Sequence, residues 1–424
     1  MIDGLALVRS GELLYTDDVG HDACGIGGVA AKDGKPNPEV VQKALQALKA
    51  LEHRGGVCGD AGDGAGLTCQ IPQAFFHEEA KRLGLDHVKT LKPTDRIAIG
   101  SYFIHSANPA QIARARELIR AALSSGSAQF MGFRTVPTND DILPTKARDT
   151  RPSAIEQVLL RLSGTPDDAE RWLYRQRLIL RDQFRKEGLE VYINSLSAKL
   201  ISYKGLLTSH HFVDFYPDMQ APGFEAGIAI FHRRYSTNTF PNWNLAQPFR
   251  YSSHNGEINT VRTNRNAVQA FSRSLSPQPP GGELLSPKMS DSASLDEWVE
   301  YLHLEENWSL LRALRLSIPP VWDTEADVWG QDAFQLFTYC RRTFGSLCAW
   351  DGPAGILSTD GDTLIGQVDR MGLRPVRWCS DKRGWLYIGS ESGVFGLDPV
   401  TRCQRPVAAR RNDRPGHQDR HAAR

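Results

Sequence analysis

A glycine-spaced apolar run directly after Cys24 constrains the fold more than any other feature of the sequence. Residues 25–30 are Gly-Ile-Gly-Gly-Val-Ala and carry no polar side chain. Such a run predicts a short buried strand, and its glycines allow a second backbone to approach closely. The sequence therefore predicts that a buried strand begins at the cysteine.

A helix is predicted after this strand. Asn37 is a suitable N-cap, and Pro38 suits the first helical position because the N–H that it lacks would be unpaired there anyway. Apolar residues then recur at helical spacing on one face, at Val41, Ala44, Leu45, Leu48 and Leu51. We expect this helix to end near residues 53–56.

The rest of the chain alternates between strand and helix patterns. A glycine-rich run at 55–66 is predicted to be a loop. Strands are predicted at 67–71, 96–104, 226–231 and 385–389, a helix at 109–123, and hairpins at 190–207 and 355–366. The first hairpin is expected to turn at 197–199. Meanders of strands, with helices arriving in blocks, favour the α+β class over a doubly wound α/β fold.

Composition limits the kinds of partner. The chain has 424 residues, of which 41% are hydrophobic and 23% are charged, and this is sufficient for a packed core in one large domain or two. Its formal net charge of +1 creates no overall field that would attract nucleic acid or an anionic membrane. Residues 1–23 lack the apolar core of an export signal, and no run of about 18 apolar residues predicts a membrane span. We expect a soluble, cytoplasmic protein that acts on a small molecule.

The cysteines form neither a metal-binding nor a disulfide pattern. Their number is odd and no two are spaced as Cys-x-x-Cys. We therefore expect no metal site, and mostly reduced core thiols. The seven are Cys24, Cys58, Cys69, Cys340, Cys348, Cys379 and Cys403.

Cys24 nevertheless has a position that suits a nucleophile. If the residues before it were removed, its own α-amine could act as the base, because the pKa of such an amine is about 7.7–8.0 and therefore close to cellular pH. The alternative is a buried structural thiol, which is the commoner role of a lone cysteine at the start of a strand.

Three polar clusters further along the chain could bind or activate a substrate. Arg234 offers a planar two-pronged donor for a carboxylate, although a solvated arginine is the alternative. Asn255 and Gly256 could form an oxyanion hole, although an Asn-Gly pair is more often only a turn. Asp291 could cap a helix and also pair with a substrate ammonium.

Several motifs occur in the order that is typical of one family. They are Asp22-Ala23-Cys24-Gly25-Ile26-Gly27, Glu52-His53-Arg54-Gly55-Gly56, Asp63-Gly64-Ala65-Gly66, Arg-Tyr-Ser-Thr-Asn-Thr-Phe-Pro from Arg234, His-Asn-Gly-Glu-Ile-Asn-Thr from His254, Ser-Asp-Ser-Ala from Ser290, Asp351-Gly352-Pro353-Ala354, Asp369-Arg370-Met371-Gly372-Leu373-Arg374-Pro375 and Ser390-Glu391-Ser392-Gly393. Together they resemble the N-terminal glutaminase domain of the glutamate synthase large subunit, which is a class II glutamine amidotransferase. The resemblance extends from Cys24 to about Gly396.

This resemblance implies a fold and a domain organisation. The fold would be that of an N-terminal nucleophile hydrolase, an α+β four-layer αββα sandwich. Residues 1–23 would be a leader removed by self-cleavage, residues 24–400 the amidotransferase type 2 domain, and residues 401–424 a basic tail that is expected to be disordered.

The resemblance also implies roles for individual residues in hydrolysing L-glutamine to glutamate and ammonia. Cys24 would be both nucleophile and base, and the Asn255 side chain and the Gly256 N–H would form the oxyanion hole. Arg234 would hold the α-carboxylate of glutamine and Asp291 its α-amine. Arg54 would order the loop around the nucleophile.

Glutamate synthases continue beyond the region that this chain resembles. They add a second domain, an FMN-binding barrel with an iron–sulfur cluster, and a β-helix. We therefore expect no cofactor in this chain, with FMN and the cluster only on synthase domains or on a separate synthase polypeptide that receives ammonia. Two rival interpretations are an enzyme of the same fold with another amide substrate, and an idle regulatory module left over from a larger synthase. The sequence also does not separate a truncated or frame-shifted synthase from a stand-alone glutaminase.

Overall fold

The structure is a computed structural model. It describes residues 24–58, 61–234, 242–319, 335, 338, 339, 342, 349–391 and 393–396. The predicted leader (1–23) and the predicted tail (401–424) lie outside the described residues.

The described residues form nine α-helices, and the first of them begins with its predicted cap. The helices are α1 (Pro38–Ala50), α2 (Gln73–Leu83), α3 (Pro109–Leu123), α4 (Thr145–Asp149), α5 (Pro166–Lys186), α6 (Ser209–Phe215), α7 (Val261–Ser274), α8 (Asp291–Leu304) and α9 (Leu310–Ser317). Asn37 caps α1 through a 2.9 Å hydrogen bond from the Glu39 N–H to its side-chain oxygen. The predicted start of α1 and both predicted ends of α3 are confirmed.

Strands are arranged in antiparallel ladders. They are β1 (Gly25–Ala31), β2 (Val57–Cys58), β3 (Ala61–Gly62), β4 (Ala65–Gln70), β5 (Ile97–Ile104), β6 (Ala128–Thr135), β7 (Ala154–Leu162), β8 (Val191–Ser197), β9 (Leu200–Gly205), β10 (Ile228–Arg233), β11 (Ser252–Gly256), β12 (Ala354–Thr359), β13 (Leu364–Val368), β14 (Arg377–Ser380) and β15 (Trp385–Gly389). A six-stranded sheet has the order β14-β15-β1-β10-β4-β9, and a three-stranded sheet has the order β11-β12-β13. The strand predicted after Cys24 is confirmed, and it lies in the middle of the larger sheet.

These two sheets pack face to face between helices. Ile26 and Ile230 of the six-stranded sheet meet Leu357 and Leu364 of the three-stranded sheet in one buried apolar cluster. The opposite face of the larger sheet packs against α1 and α6. The opposite face of the smaller sheet packs against α7, α8 and α9. The packing order is therefore helices, sheet, sheet, helices, and the predicted mixture of helices and antiparallel strands is confirmed.

A third sheet has four strands and packs against two further helices. It has the order β6-β7-β5-β8 and buries one face against α3 and α5. A buried ion pair crosses its other side, where Nη2 of Arg134 lies 2.7 Å from a carboxylate oxygen of Asp218.

Two local predictions were wrong. The expected hairpin over 190–207 turns where predicted, but β8 pairs with β5 and β9 pairs with β4, so its two strands belong to different sheets. The glycine-rich run at 55–66 is not purely irregular, because β2 and β3 form a short ladder within it. Both errors arise because local sequence predicts a turn but not the partner of each strand.

None of the helices in the described residues is both long and apolar enough to cross a membrane.

Gly27 lies where the glycine-rich strand meets the core. It pairs in register with Phe231 on β10, and the fully buried Phe231 ring covers it. A Cβ atom on Gly27 would stand 2.1 Å from the tip of that ring. The close approach predicted for this strand is therefore a contact between an aromatic ring and a glycine backbone.

We predict that Gly27→Ala lowers the free energy of unfolding by about 1–3 kcal/mol, because the Phe231 ring must leave its packed position. Gly164→Ala is the matched control, since a Cβ at Gly164 would have nothing within 4 Å. Denaturant unfolding of both variants and the parent measures the difference. Equal midpoints for the two variants would contradict the packing argument.

Candidate active site

The ends of three neighbouring strands meet beside Cys24. On β1 and β10, Gly25 pairs with Arg233, so the next positions along the two strands are Cys24 and Arg234. On β10 and β4, Arg233 pairs with Ala65. Antiparallel pairing thus brings Cys24, Arg234 and the residue before Ala65 to one edge of the sheet.

Arg234 is held in an uncommon backbone conformation at this edge. Its φ is +85°, a region that residues other than glycine rarely adopt. Its N–H donates to the carbonyl of Gly64 at 2.9 Å. Its Nε lies 3.3 Å from an oxygen of Asp63, and its side chain is 16% exposed. A positive charge is therefore fixed beside Cys24 with access to solvent.

Asp63 connects the two consecutive arginines. Besides Arg234, its carboxylate contacts Nη1 of Arg233 at 2.5 Å and accepts the N–H of Gly56 at 2.9 Å. Arg233 is 1% exposed and also pairs with Glu52 at 2.9 Å. No role was predicted for Asp63, because nothing in a single sequence indicates which carboxylate will meet which arginine.

Gly256 lies against the sulfur of Cys24. Its backbone N–H hydrogen-bonds the Cys24 side chain. Its φ is +105°, and a Cβ there would stand 1.9 Å from the carbonyl oxygen of Pro353. Any other residue would be strained and would clash with Pro353 at this position.

Asn255 and His254 precede Gly256 on β11, and both are buried. The side-chain oxygen of Asn255 and both ring nitrogens of His254 have no hydrogen-bond partner among the described residues. The neighbouring ring of His232 contacts the carbonyl oxygen of His254 at 3.1 Å and so ties β10 to β11. Because buried polar atoms are normally paired, the open atoms beside Cys24 are suited to a polar ligand.

Burial keeps this histidine pair neutral. It lowers the pKa of His232 to about 3, and the neighbouring His254 acts in the same direction. It also lowers the pKa of His254, against the opposing charge of Asp291. The positive charges next to Cys24 are therefore arginines rather than imidazoles.

Asp291 lies at the start of α8, but it does not cap the helix. The N-cap is Ser290, whose hydroxyl accepts the N–H of Ala293 at 3.2 Å. The prediction that Asp291 could be the cap was wrong by one residue. Its carboxylate instead accepts the N–H of Ile258 at 2.8 Å and lies 3.6 Å from Nε2 of His254.

Asp296, one turn further along α8, fixes the helix to the strand that carries Asn255. One of its carboxylate oxygens accepts the N–H groups of Tyr251 and Ser252, each at 2.9 Å. Since Ser252 is the first residue of β11, these bonds set the position of Asp291 relative to Asn255.

Cys24 itself is a buried thiol. Its side chain is 6% exposed, and burial raises its pKa to about 11. The charge of Arg234 and the Gly256 N–H act in the opposite direction, as does the charge of Arg374. At neutral pH this thiol needs a base before it can act as a nucleophile.

Arg54 lies on the other side of the strand end. It ends a short 3₁₀ turn after α1, and its Nε contacts the carboxylate of Glu391. The hydroxyl of Ser390, the residue before Glu391, accepts the N–H of Ile26 at 3.2 Å. Arg54 thereby connects the glycine-rich loop, through Glu391, to the segment beside β1.

No metal site is evident in the part of the chain that the structure describes. There, no group of three or more histidine, cysteine or acidic side chains could hold an ion. Cys24, Cys69 and Cys379 are reduced and buried. The chemistry that this arrangement offers is that of a thiol flanked by arginines, an N–H donor and an amide.

The sequence matches the model of one protein family. The model for class II glutamine amidotransferases matches residues 24–416. The chain belongs to this family. The predicted resemblance and the predicted enzyme class, an amidotransferase with a cysteine nucleophile, are confirmed.

Several relatives are glutamate synthases. The large chain of an NADPH-dependent glutamate synthase from Azospirillum brasilense is 37% identical over 398 residues, which are 91% of this chain and 25% of that protein. The corresponding large chain from Bacillus subtilis is 36% identical over 91% of this chain and 25% of that protein. A ferredoxin-dependent glutamate synthase from Arabidopsis thaliana is 37% identical over 89% of this chain and 23% of that protein. The amidotransferase chain therefore spans about a quarter of the length of these relatives.

One solved structure is titled as the allosteric regulatory enzyme of purine biosynthesis. It covers 91% of this amidotransferase chain and 45% of its own, with 12% identity and a TM-score of 0.40. A likeness of this size carries no argument about the fold.

We predict that Asp63→Ala lowers the free energy of unfolding by about 3 kcal/mol or more, because it leaves buried arginine charge without its carboxylate. Glu78→Ala is the control: its ion pair with Lys81 is exposed, and such pairs contribute less than about 1 kcal/mol. Chemical denaturation measures both changes. A similar, small loss in the two variants would show that Asp63 does not organise the arginines.

Proposed function

We propose that this amidotransferase is a glutaminase of the glutamate synthase type, which hydrolyses L-glutamine to glutamate and ammonia for glutamate synthesis and ammonia assimilation. The observation that carries the proposal is the juxtaposition at Cys24. Strand register places Arg234 next to it, and the Gly256 N–H hydrogen-bonds its sulfur. A nucleophile, a carboxylate-binding cation and an oxyanion donor are thereby combined at one strand end.

The base in this mechanism is the α-amine of Cys24. Burial holds the thiol pKa at about 11, whereas a free α-amine has a pKa of about 7.7–8.0 and accepts a proton readily near neutral pH. This role requires removal of residues 1–23, which we propose is self-cleavage. The family match, which begins at residue 24, supports this boundary.

Two opposite charges would hold the substrate. Arg234 would bind the α-carboxylate of glutamine through its guanidinium, with Asp63 holding Nε. Asp291 would bind the α-ammonium, with the Ile258 N–H fixing the carboxylate. An amide that lacks the α-carboxylate or the α-ammonium would lose the contact with Arg234 or with Asp291. The proposed site therefore favours glutamine over other amides.

The chemical step uses Cys24 together with two hydrogen-bond donors, the Asn255 side chain and the Gly256 N–H. The Cys24 thiolate attacks the side-chain carbonyl of glutamine, and the Asn255 amide and the Gly256 N–H stabilise the resulting oxyanion. The α-amine returns its proton to the leaving nitrogen, so ammonia departs and a γ-glutamyl thioester remains. Water, activated by the same amine, hydrolyses the thioester to glutamate and restores the thiol. Arg54, through Glu391, would order the loop around Cys24.

The packing order of helices, sheet, sheet and helices supports the finer fold assignment. We infer an N-terminal nucleophile hydrolase, a four-layer αββα sandwich, with the amidotransferase type 2 domain at residues 24–400. In such an arrangement the nucleophile begins a central strand, as Cys24 does with β1.

Ammonia would be used by synthase chemistry elsewhere. The relatives carry the name glutamate synthase, and three quarters of their length lies outside the match. FMN and the iron–sulfur cluster would therefore reside on synthase domains or on a separate synthase polypeptide that receives the ammonia.

We predict that Cys24→Ser reduces glutamine hydrolysis by at least about a hundredfold, because a serine hydroxyl ionises far less readily than a thiol. Both proteins should be prepared with residue 24 as the verified first residue, so that failure of processing does not confuse the result. Cys379→Ala is the control, since it removes a buried thiol on β14 and should retain turnover. Glutamate formed per enzyme is the measurement. Parent-like turnover in Cys24→Ser would remove Cys24 from the mechanism.

Asn255 should act mainly in the transition state. We predict that Asn255→Ala lowers kcat about a hundredfold, which corresponds to about 3 kcal/mol of lost oxyanion stabilisation, and leaves glutamine affinity nearly unchanged. A purely structural role would lower the melting temperature and disturb binding and turnover together. Calorimetric affinity, turnover and melting temperature on one preparation separate the two. Intact binding and melting with parent-like turnover would refute the oxyanion role.

A further inference from the structure

The turn over residues 369–374 is rigid and lies next to the nucleophile, but the reaction described so far leaves it unused. The buried carboxylate of Asp369 accepts the N–H groups of Met371 at 2.9 Å, Leu373 at 2.9 Å and Arg374 at 3.0 Å. The Asp369 carboxylate thus fixes three backbone N–H groups of this turn. Arg374 therefore extends from a backbone that has little freedom to move.

The side chain of Arg374 packs behind the oxyanion donor. Its Nε lies 3.2 Å from the point where a Cβ of Gly256 would stand, and its own Cβ lies 3.6 Å from the corresponding point on Gly355. A Cβ at Gly256 would crowd this nitrogen, whereas a Cβ at Gly355 would lie at ordinary contact distance from the arginine. Because the Gly256 N–H hydrogen-bonds the Cys24 sulfur, the guanidinium is one residue away from the nucleophile.

The charge of Arg374 is less neutralised than that of Arg234. Asp63 pairs with Arg234 at 3.3 Å. No carboxylate in the described ranges forms an ion pair with Arg374. Its neighbour Arg370, by contrast, lies 3.8 Å from Asp351. An uncompensated cation beside a buried thiol favours the ionised form of that thiol.

We propose that Arg374 is a positioning residue for the nucleophile, which braces the Gly256 backbone and supplies a second positive charge that stabilises the Cys24 thiolate. This inference deepens the proposed glutaminase function and rests on it for its biological meaning. It concerns the ionisation of Cys24, however, and ionisation can be measured without glutamine.

Other charged groups around Cys24 also affect the ionisation of its thiol. Arg234 favours the thiolate from the end of β10, and Asp63 opposes it from the start of β4. The Arg54–Glu391 pair lies beside β1 and is internally compensated. Arg234 has the largest effect of these charges on the Cys24 pKa, and Arg374 acts in the same direction from the side of Gly256. His254, which also faces Arg374, is kept neutral by burial, which lowers its pKa.

The test is the pH dependence of Cys24 alkylation by iodoacetamide, a neutral probe that reacts with the thiolate. Rates are measured from peptide mass spectra of protein that begins at residue 24, for the parent, Arg374→Gln, Arg374→Lys and Arg370→Gln. Arg370→Gln is the control, because it removes a positive charge from the same turn without touching Gly256. Melting temperatures and glutamine turnover are recorded for each preparation.

We expect Arg374→Gln to react about threefold to tenfold more slowly at neutral pH, with its alkylation midpoint moved upward by about half to one pH unit. Arg374→Lys should stay close to the parent because it keeps the charge. Arg370→Gln should match the parent.

The proposal is overturned if the profile of Arg374→Gln superimposes on that of Arg370→Gln, or if its rate falls equally at every pH. Should Arg374→Gln fail to fold, an alkylation midpoint raised as far in Arg374→Lys as in Arg234→Gln would overturn it instead, because Arg374→Lys keeps the charge. A parent that shows the expected alkylation profile but releases no ammonia from glutamine would refute the proposed function and leave this inference standing.

Discussion

The antiparallel register between β1 and β10 is the constraint on which the site depends. Gly25 opposite Arg233 makes Cys24 and Arg234 neighbours across the ladder, and a slip by one residue would turn every side chain to the other face. The register is held on both sides of β1, because Gly27 pairs with Phe231 on one strand and with Gly389 on the other. The packing of the core and the geometry of the nucleophile are thus fixed by one set of hydrogen bonds.

A second constraint is electrostatic. Burial alone would keep the Cys24 thiol protonated, and it raises the thiol pKa to about 11. The protein surrounds the sulfur with fixed positive groups: Arg234 at a strand end, the Gly256 N–H, and Arg374 on its rigid turn. These groups are arranged before any substrate arrives, so they cost little reorganisation during the reaction. Because the nearby His232 and His254 are neutral, the positive charges around the sulfur belong to the arginines.

Much of this arrangement was predictable from the sequence, and the remainder has a common physical cause. The strand after Cys24, the capped start of α1 and the bounds of α3 follow from local patterns of glycine, proline and apolar residues. The cluster around Arg234 was predictable because polar residues after an apolar strand collect at its end, whereas Asn255 lies within β11, a polar strand that was not predicted. The pairing of Asp63 with two arginines, the position of Arg374 and the division of β8 and β9 between two sheets depend on long-range contacts, which local patterns do not encode.

The proposed mechanism requires that Cys24 be a free N-terminal residue. Intact mass and N-terminal sequencing of the fraction that hydrolyses glutamine measure this. We expect active protein to begin at Cys24 and protein that retains residues 1–23 to be inactive. Full glutaminase activity in protein that still begins at Met1 would contradict it, because the α-amine of Cys24 would then be locked in a peptide bond.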